Sequence, residues 1–254
     1  MWASCKIAFA MYSTFKIKNT DWTEKNLRYV LCFFPLIGVC IGLLMCTTAF
    51  LMNHWGVGRT LQAVLFTVIP VLVTGGIHVD GYMDVSDARC SYGEREKKLS
   101  ILSDPHIGAF AVIRVVIYFL LIFGLMSELK TENMIFIAIG YVYSRALSGY
   151  GVVTLKCAKL EGMLYTFAKG AELRKVRIVM ILWCIACTVA FLFCQFSSGL
   201  ICVIAGIASF VYYRTFAKRE FGGITGDLAG WFLQNCELLI LICVVGMQVI
   251  RGML

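Results

Sequence analysis

"LQAVLFTVIPVLVTGGIHVDGYMDVSDARCSYG" occupies residues 61–93 and joins two kinds of chain that seldom meet. Its first part, Leu61 to Val73, is apolar apart from Gln62 and Thr67, as a helix in lipid requires. Beyond two glycines it sets Asp80, Asp84 and Asp87 at the mouth of that run. The spacing i, i+4, i+7 brings three carboxylates onto one face of a helix. Like charges stacked in this way destabilise a helix unless a cation sits among them. Oxygen-only ligands suit a hard ion, and Mg²⁺ takes one or two carboxylates and fills its other positions with water and substrate phosphate. The plainer reading is a solvated acidic helix end. Against it, the chain has only fifteen acidic residues, and three of them share one face beside an apolar boundary.

Working outward, the whole chain is of the lipid-embedded kind. Of its 254 residues 60% are hydrophobic and 15% charged, where soluble domains carry about a quarter charged. Seven apolar runs, roughly 29–51, 60–77, 108–127, 133–155, 176–195, 199–216 and 228–250, approach the ~20 residues that a membrane-spanning helix needs. The expected fold is an all-α integral membrane protein, a polytopic bundle of about seven transmembrane helices forming one domain over 1–254. Met1 to Phe15 is short, weakly apolar and followed by the charged stretch Lys16 to Arg28, so no cleavable signal is expected. With seven spans, eighteen of the Lys and Arg residues fall on the side of the N-terminus and three on the other, which makes the rich side cytoplasmic. The net charge of +8 is therefore a topology signal and does not point to nucleic acid. Most of the twelve cysteines lie inside apolar runs and read as small hydrophobes, Cys184 and Cys187 included.

The polar loops all share the side of the acidic run, and three further constellations lie there. "GEREKKLSIL" (93–102) reads as an amphipathic interfacial helix that folds Asp104 back toward the other acids, giving four carboxylates near one point. Asp104 stands before Pro105 and reads equally well as an N-cap of the next span. His78 and His106 flank the region, neither with a second histidine at ligand spacing, so each reads as a hydrogen-bonding or phosphate-facing residue. In "REFGGITGDLAGW" (219–231) Gly222, Gly223 and Gly226 make a turn that could expose N–H groups to an anion, and Thr225 or Asp227 caps the last span. Arg145 and Glu237 stand near the middle of their spans, where an unpaired charge costs several kcal/mol; they are expected to pair or to line a substrate cleft.

These residues resemble those of the cobalamin synthase family, the adenosylcobinamide-GDP ribazoletransferases of bacteria and archaea. The resemblance rests on "FFPLIGVCIG" (33–42), "GGIHVDGYMDVSDA" (75–88), "DPHIGAF" (104–110), "AKLEGMLYTFAKGA" (158–171) and "GGITGDLAGWFLQNCE" (222–237). One departure is "ARCSYG" (88–93), where the family has a small, Gly-rich stretch. The resemblance implies a Mg²⁺-dependent enzyme of the inner or plasma membrane, working on its cytoplasmic side. It would join adenosylcobinamide-GDP to α-ribazole or its 5′-phosphate and release GMP. Asp80, Asp84, Asp87 and Asp104 would hold the metal. The base for the attacking hydroxyl would be Asp104 first and Asp87 second, with His78 also counted as catalytic. Arg89, His106, Gly108, Arg145, Gly222, Gly223, Thr225, Gly226, Asp227 and Glu237 are the candidates for substrate contact. A homo-oligomer is left open. Two other readings are a CDP-alcohol phosphotransferase, whose D-x-x-D-G-x-x-A-R order is absent, and a cation transporter, which would place its acids nearer the midplane.

Overall fold

Backbone groups in lipid must be satisfied within their own segment, and helix is how this chain does it. The computed structural model describes residues 1–18, 20–159 and 163–253. Among them are α1 (Trp2–Tyr12), α2 (Glu24–Leu27), α3 (Phe34–His54), α4 (Arg59–Thr74), α5 (Ile77–Cys90), α6 (Arg95–Ile101), α7 (Ala109–Glu128), α8 (Met134–Thr154), α9 (Met163–Gly170), α10 (Leu173–Cys194), α11 (Phe196–Phe221) and α12 (Gly226–Met253). The only β pairing among the described residues is an isolated bridge between Cys157 and Ile224. This is the expected all-α polytopic architecture, and α6 falls where an interfacial helix was expected. Of the segment 158–171, Leu160, Glu161 and Gly162 lie outside the described residues.

The spans differ in detail from seven uniform runs. Among the described residues, five segments are long and apolar enough to cross a membrane: Val30–His54, Ala109–Glu128, Leu173–Cys194, Phe196–Phe221 and Gly226–Met253. The run expected at 60–77 is broken. α4 ends at Thr74, and α5 leaves it at 95°. The corner is made by Gly75 at φ 65° and Gly76 at φ 79°, a left-handed pair that residues with a Cβ adopt only under strain. The last carbonyls of α4, which no helical N–H can reach, are taken up from outside it: Thr14 donates its N–H to Val73 O at 2.8 Å and its hydroxyl to Leu72 O at 2.9 Å. α4 and α5 together are long and apolar enough to cross, as a bent pair, and α5 packs on α12 and α7.

The run at 133–155 forms α8, long enough to cross but not apolar enough to be counted with the five. Its surroundings explain this. α8 packs against α3, α10, α11 and α12, and residues Gly140 through Gly149 are all buried. A helix wrapped by other helices has no need to be greasy on every side, so Ser144, Arg145 and Ser148 are tolerated there.

Candidate active site

The acidic run folds as expected into one helix, α5, with Asp80, Asp84 and Asp87 along it. α5 lies against the first turns of α12 because two glycines let the backbones touch. A Cβ on Gly81 would stand 2.7 Å from the carbonyl oxygen of Asp227, and one on Gly230 would stand 3.0 Å from that of His78. This contact makes Asp227 a fourth carboxylate of the cluster. Burial first, then the charges of Asp80, Asp227 and Asp87, push the Asp84 carboxyl up to about 6. Asp227 is held by its own helix start, where Thr225 accepts a hydrogen bond from the Leu228 N–H at 3.2 Å and so caps α12.

Asp104 does not take the place expected of it. α6 ends at Ile101, and the exposed Asp104 carboxylate accepts from the His106 N–H at 2.9 Å and pairs with its Nδ1 at 2.7 Å. The bonds to His106 hold the Asp104 carboxyl below its usual range. Nor does Asp104 cap α7, whose N-cap is Gly108. Gly108 belongs to the cluster in another way: a Cβ there would stand 2.0 Å from Asp87 Oδ1, so the start of α7 closes directly over that carboxylate. Arg89 is exposed, with its guanidinium 5.7 Å from the centre of the Phe216 ring.

Beside the cluster lies a cavity of about 210 Å³, lined by Asp80 and Asp227 and by Tyr12, Phe34, His78 and Leu233 among others. The His78 ring is 6.3 Å from Tyr12 and 5.8 Å from Phe34. Burial and the Arg145 charge hold His78 well below its ordinary value, so the imidazole is neutral. Its Nε2 is buried without a hydrogen-bond partner among the described residues, which leaves a polar atom free for a ligand.

The turn from Gly222 to Asp227 has two faces. Gly226 and Asp227 border this cavity, whereas Gly222 and Gly223 line a separate groove. The turn is fixed by short bonds to the segment after α8, with Ile224 N–H donating to Lys156 O at 2.8 Å and Ala158 N–H to Ile224 O at 2.9 Å. Arg145 and Glu237 do pair, Nη1 to Oε1 at 2.8 Å, with Ser144 donating to the same oxygen. Arg145 is buried and Glu237 nearly so; the pair does not wall the 210 Å³ cavity, and Glu237 borders a separate one with Tyr118, Tyr141 and Gln234.

The model of one protein family, cobalamin-5-phosphate synthase, matches residues 4–245, which include every residue of this site. The chain belongs to that family. A Lachnoclostridium phytofermentans adenosylcobinamide-GDP ribazoletransferase is 44% identical over 94% of this chain and 92% of its own length. A protein of that name from Clostridium perfringens strain 13 is 32% identical over 91% and 92%, and one from Geobacillus thermodenitrificans is 28% identical over 94% of each. No solved structure matches. As a member of the cobalamin-5-phosphate synthase family the chain is an enzyme, a membrane-embedded transferase of cobalamin biosynthesis.

Among the described residues, no three of His, Cys, Asp and Glu stand close enough together to form a ready-made metal cage. The donor set nevertheless fits a hard cation that keeps waters: the acids near Asp84 offer only oxygen, and, after burial, their charges together raise the Asp84 carboxyl. Tyr12, Phe34 and Ser148 were not found by sequence reading. They sit in apolar or helical runs and carried no signal apart from aromatic character in the first two.

Proposed function

We propose that the chain transfers the adenosylcobinamide phosphate of adenosylcobinamide-GDP to α-ribazole or its 5′-phosphate, releasing GMP, on the cytoplasmic face of the membrane. The observation that carries this reading is a cavity lined by two carboxylates, Asp80 and Asp227, together with Tyr12, Phe34 and His78, with Asp84 close enough to feel both charges. A cavity of about 150 Å³ is enough to hold benzene, so the 210 Å³ here suits the planar base of ribazole and excludes a corrinoid. Tyr12, Phe34 and His78 would orient that base, with His78 Nε2 offering it a hydrogen bond. The ribose hydroxyl would then point out of the cavity toward the acids of α5.

One or two of Asp80, Asp84 and Asp227 would hold Mg²⁺, with water and substrate phosphate completing its shell. When bound, the ion would neutralise the charge that builds on the departing phosphate. With Asp104 bonded to His106, the proton of the attacking hydroxyl falls to Asp87, which Gly108 shields on one side. His78 is a poor proton acceptor, because burial and Arg145 disfavour its cation, and it serves in positioning. Arg145 and Glu237 hold α8 to α12 behind the cavity.

The test is to incubate the purified protein with adenosylcobinamide-GDP, α-ribazole and Mg²⁺ and to measure GMP. Release of GMP that requires all three is the expected result. Asp84→Asn is expected to abolish it while the protein remains folded in membranes. An active Asp84→Asn enzyme would refute the assignment of the acids.

A further inference from the structure

The groove on the far face of the 222–227 turn has its own chemistry. It measures about 370 Å³, and four cations line it together with Gly222 and Gly223: Arg95, Lys156, Arg214 and Lys218. They arrive from three places in the fold, the start of α6, the residues just after α8, and two adjacent turns of α11. Among the described residues no carboxylate lines the groove. Glu220, next to the turn, is already engaged, accepting from Lys98 at 2.6 Å and from Arg219 at 2.8 Å. The protein thus neutralises two of its cations here and leaves the four that converge without an ion pair or side-chain hydrogen bond among the described residues. The Arg95 guanidinium also packs on Gly222, where a Cβ would lie 3.0 Å from its Cζ.

Gathering four like charges around one concavity is unfavourable unless an anion joins them. Two guanidinium groups and two ammonium groups are suited to phosphate, which arginine grips through paired donors and lysine as a point charge. The groove also lies at the edge of the lipid. Ile207 and Val211, one to two turns before Arg214 on α11, are 50% and 58% exposed in a helix apolar enough to cross a membrane.

We propose that this groove binds a phosphate-bearing anion, separately from any diphosphate at the acidic cluster. The inference does not rest on the transferase reading. The phosphate has two possible sources, the headgroup of an anionic lipid or a soluble phosphate compound, and the test separates them. In one arm the full-length protein in neutral detergent is titrated with inorganic pyrophosphate at constant ionic strength, and its thermal unfolding midpoint is followed. In the other, nanodiscs of phosphatidylcholine are compared with nanodiscs containing phosphatidylglycerol. A rise in midpoint with pyrophosphate assigns a soluble anion, and a rise confined to phosphatidylglycerol assigns a lipid. In either case Arg214→Gln/Lys218→Gln is expected to lose the rise. Lys16→Gln/Lys18→Gln, which removes the same charge from the exposed N-terminal segment, is expected to keep it. No rise in either arm, or a rise that survives in Arg214→Gln/Lys218→Gln, overturns the site.

Discussion

Asp84 loses part of its water to burial and faces Asp80, Asp227 and Asp87, so its carboxyl is pushed up from 3.8 to about 6. A group whose folded value is raised contributes stability that is complete below the unfolded value and is lost as pH rises through the folded one. The metal-free protein is therefore expected to lower its unfolding midpoint as pH rises from 3.8 to about 6, with no further fall from this group above about 6. Mg²⁺ should restore the midpoint above that pH and do little below it. Scanning thermal unfolding with and without the ion measures this, and Asp84→Asn should flatten the dependence. In the cavity, Tyr12→Ala removes one aromatic ring of the proposed base site. Aromatic pairs contribute about 0.5–1.5 kcal/mol beyond area, so KM for α-ribazole should rise roughly tenfold with kcat little changed in steady-state assays. The three acids of α5 were legible in the sequence because a helix repeats every three or four residues. Tyr12 was not, since an aromatic residue near an apolar run looks the same whether it lines a cavity or fills a core.

The element that organises the site is α5, turned away from α4 by two glycines and laid on α12 through a third. Gly81→Ala would press a methyl group against the backbone of Asp227, which a Cβ would approach to 2.7 Å, and force the two helices apart. A displacement of about 1 Å at a reacting centre can lower a rate on the order of a hundredfold. Turnover of Gly81→Ala is expected to fall by that order while the protein still accumulates in membranes. Gly246→Ala, also on α12 but with no atom within 4 Å, should leave turnover unchanged. This contact explains why Asp227 joins the acids of α5, whereas the sequence reading named Asp104 as the fourth. Proximity along the chain favoured Asp104, but the interhelix packing that brings in Asp227 leaves no periodic trace. The elbow was written plainly as Gly75–Gly76, yet an apolar count that runs on to residue 77 passes over a change of direction.

At the scale of the whole molecule, the bundle closes around α8, whose polar residues lowered its apolar signal although it is among the most buried helices. Arg145 donates to Glu237 and to Tyr141 O, both at 2.8 Å, and lies between the Phe34 and Tyr141 rings. Removing one partner of a buried pair leaves a bare charge and costs about 3–5 kcal/mol. Glu237→Gln should therefore destabilise the protein strongly in detergent, and Arg145→Met/Glu237→Met should recover most of the loss, both read from unfolding midpoints. The pair also carries a consequence for biogenesis. Its members are 92 residues apart in the chain, so at about 5–20 residues per second a nascent α8 waits on the order of ten seconds for its counter-ion to be translated. Through that interval the arginine must stay near the insertion machinery or at the headgroups. A ribosome stalled before α12 would accordingly leave α8 poorly inserted and open to quality-control proteolysis.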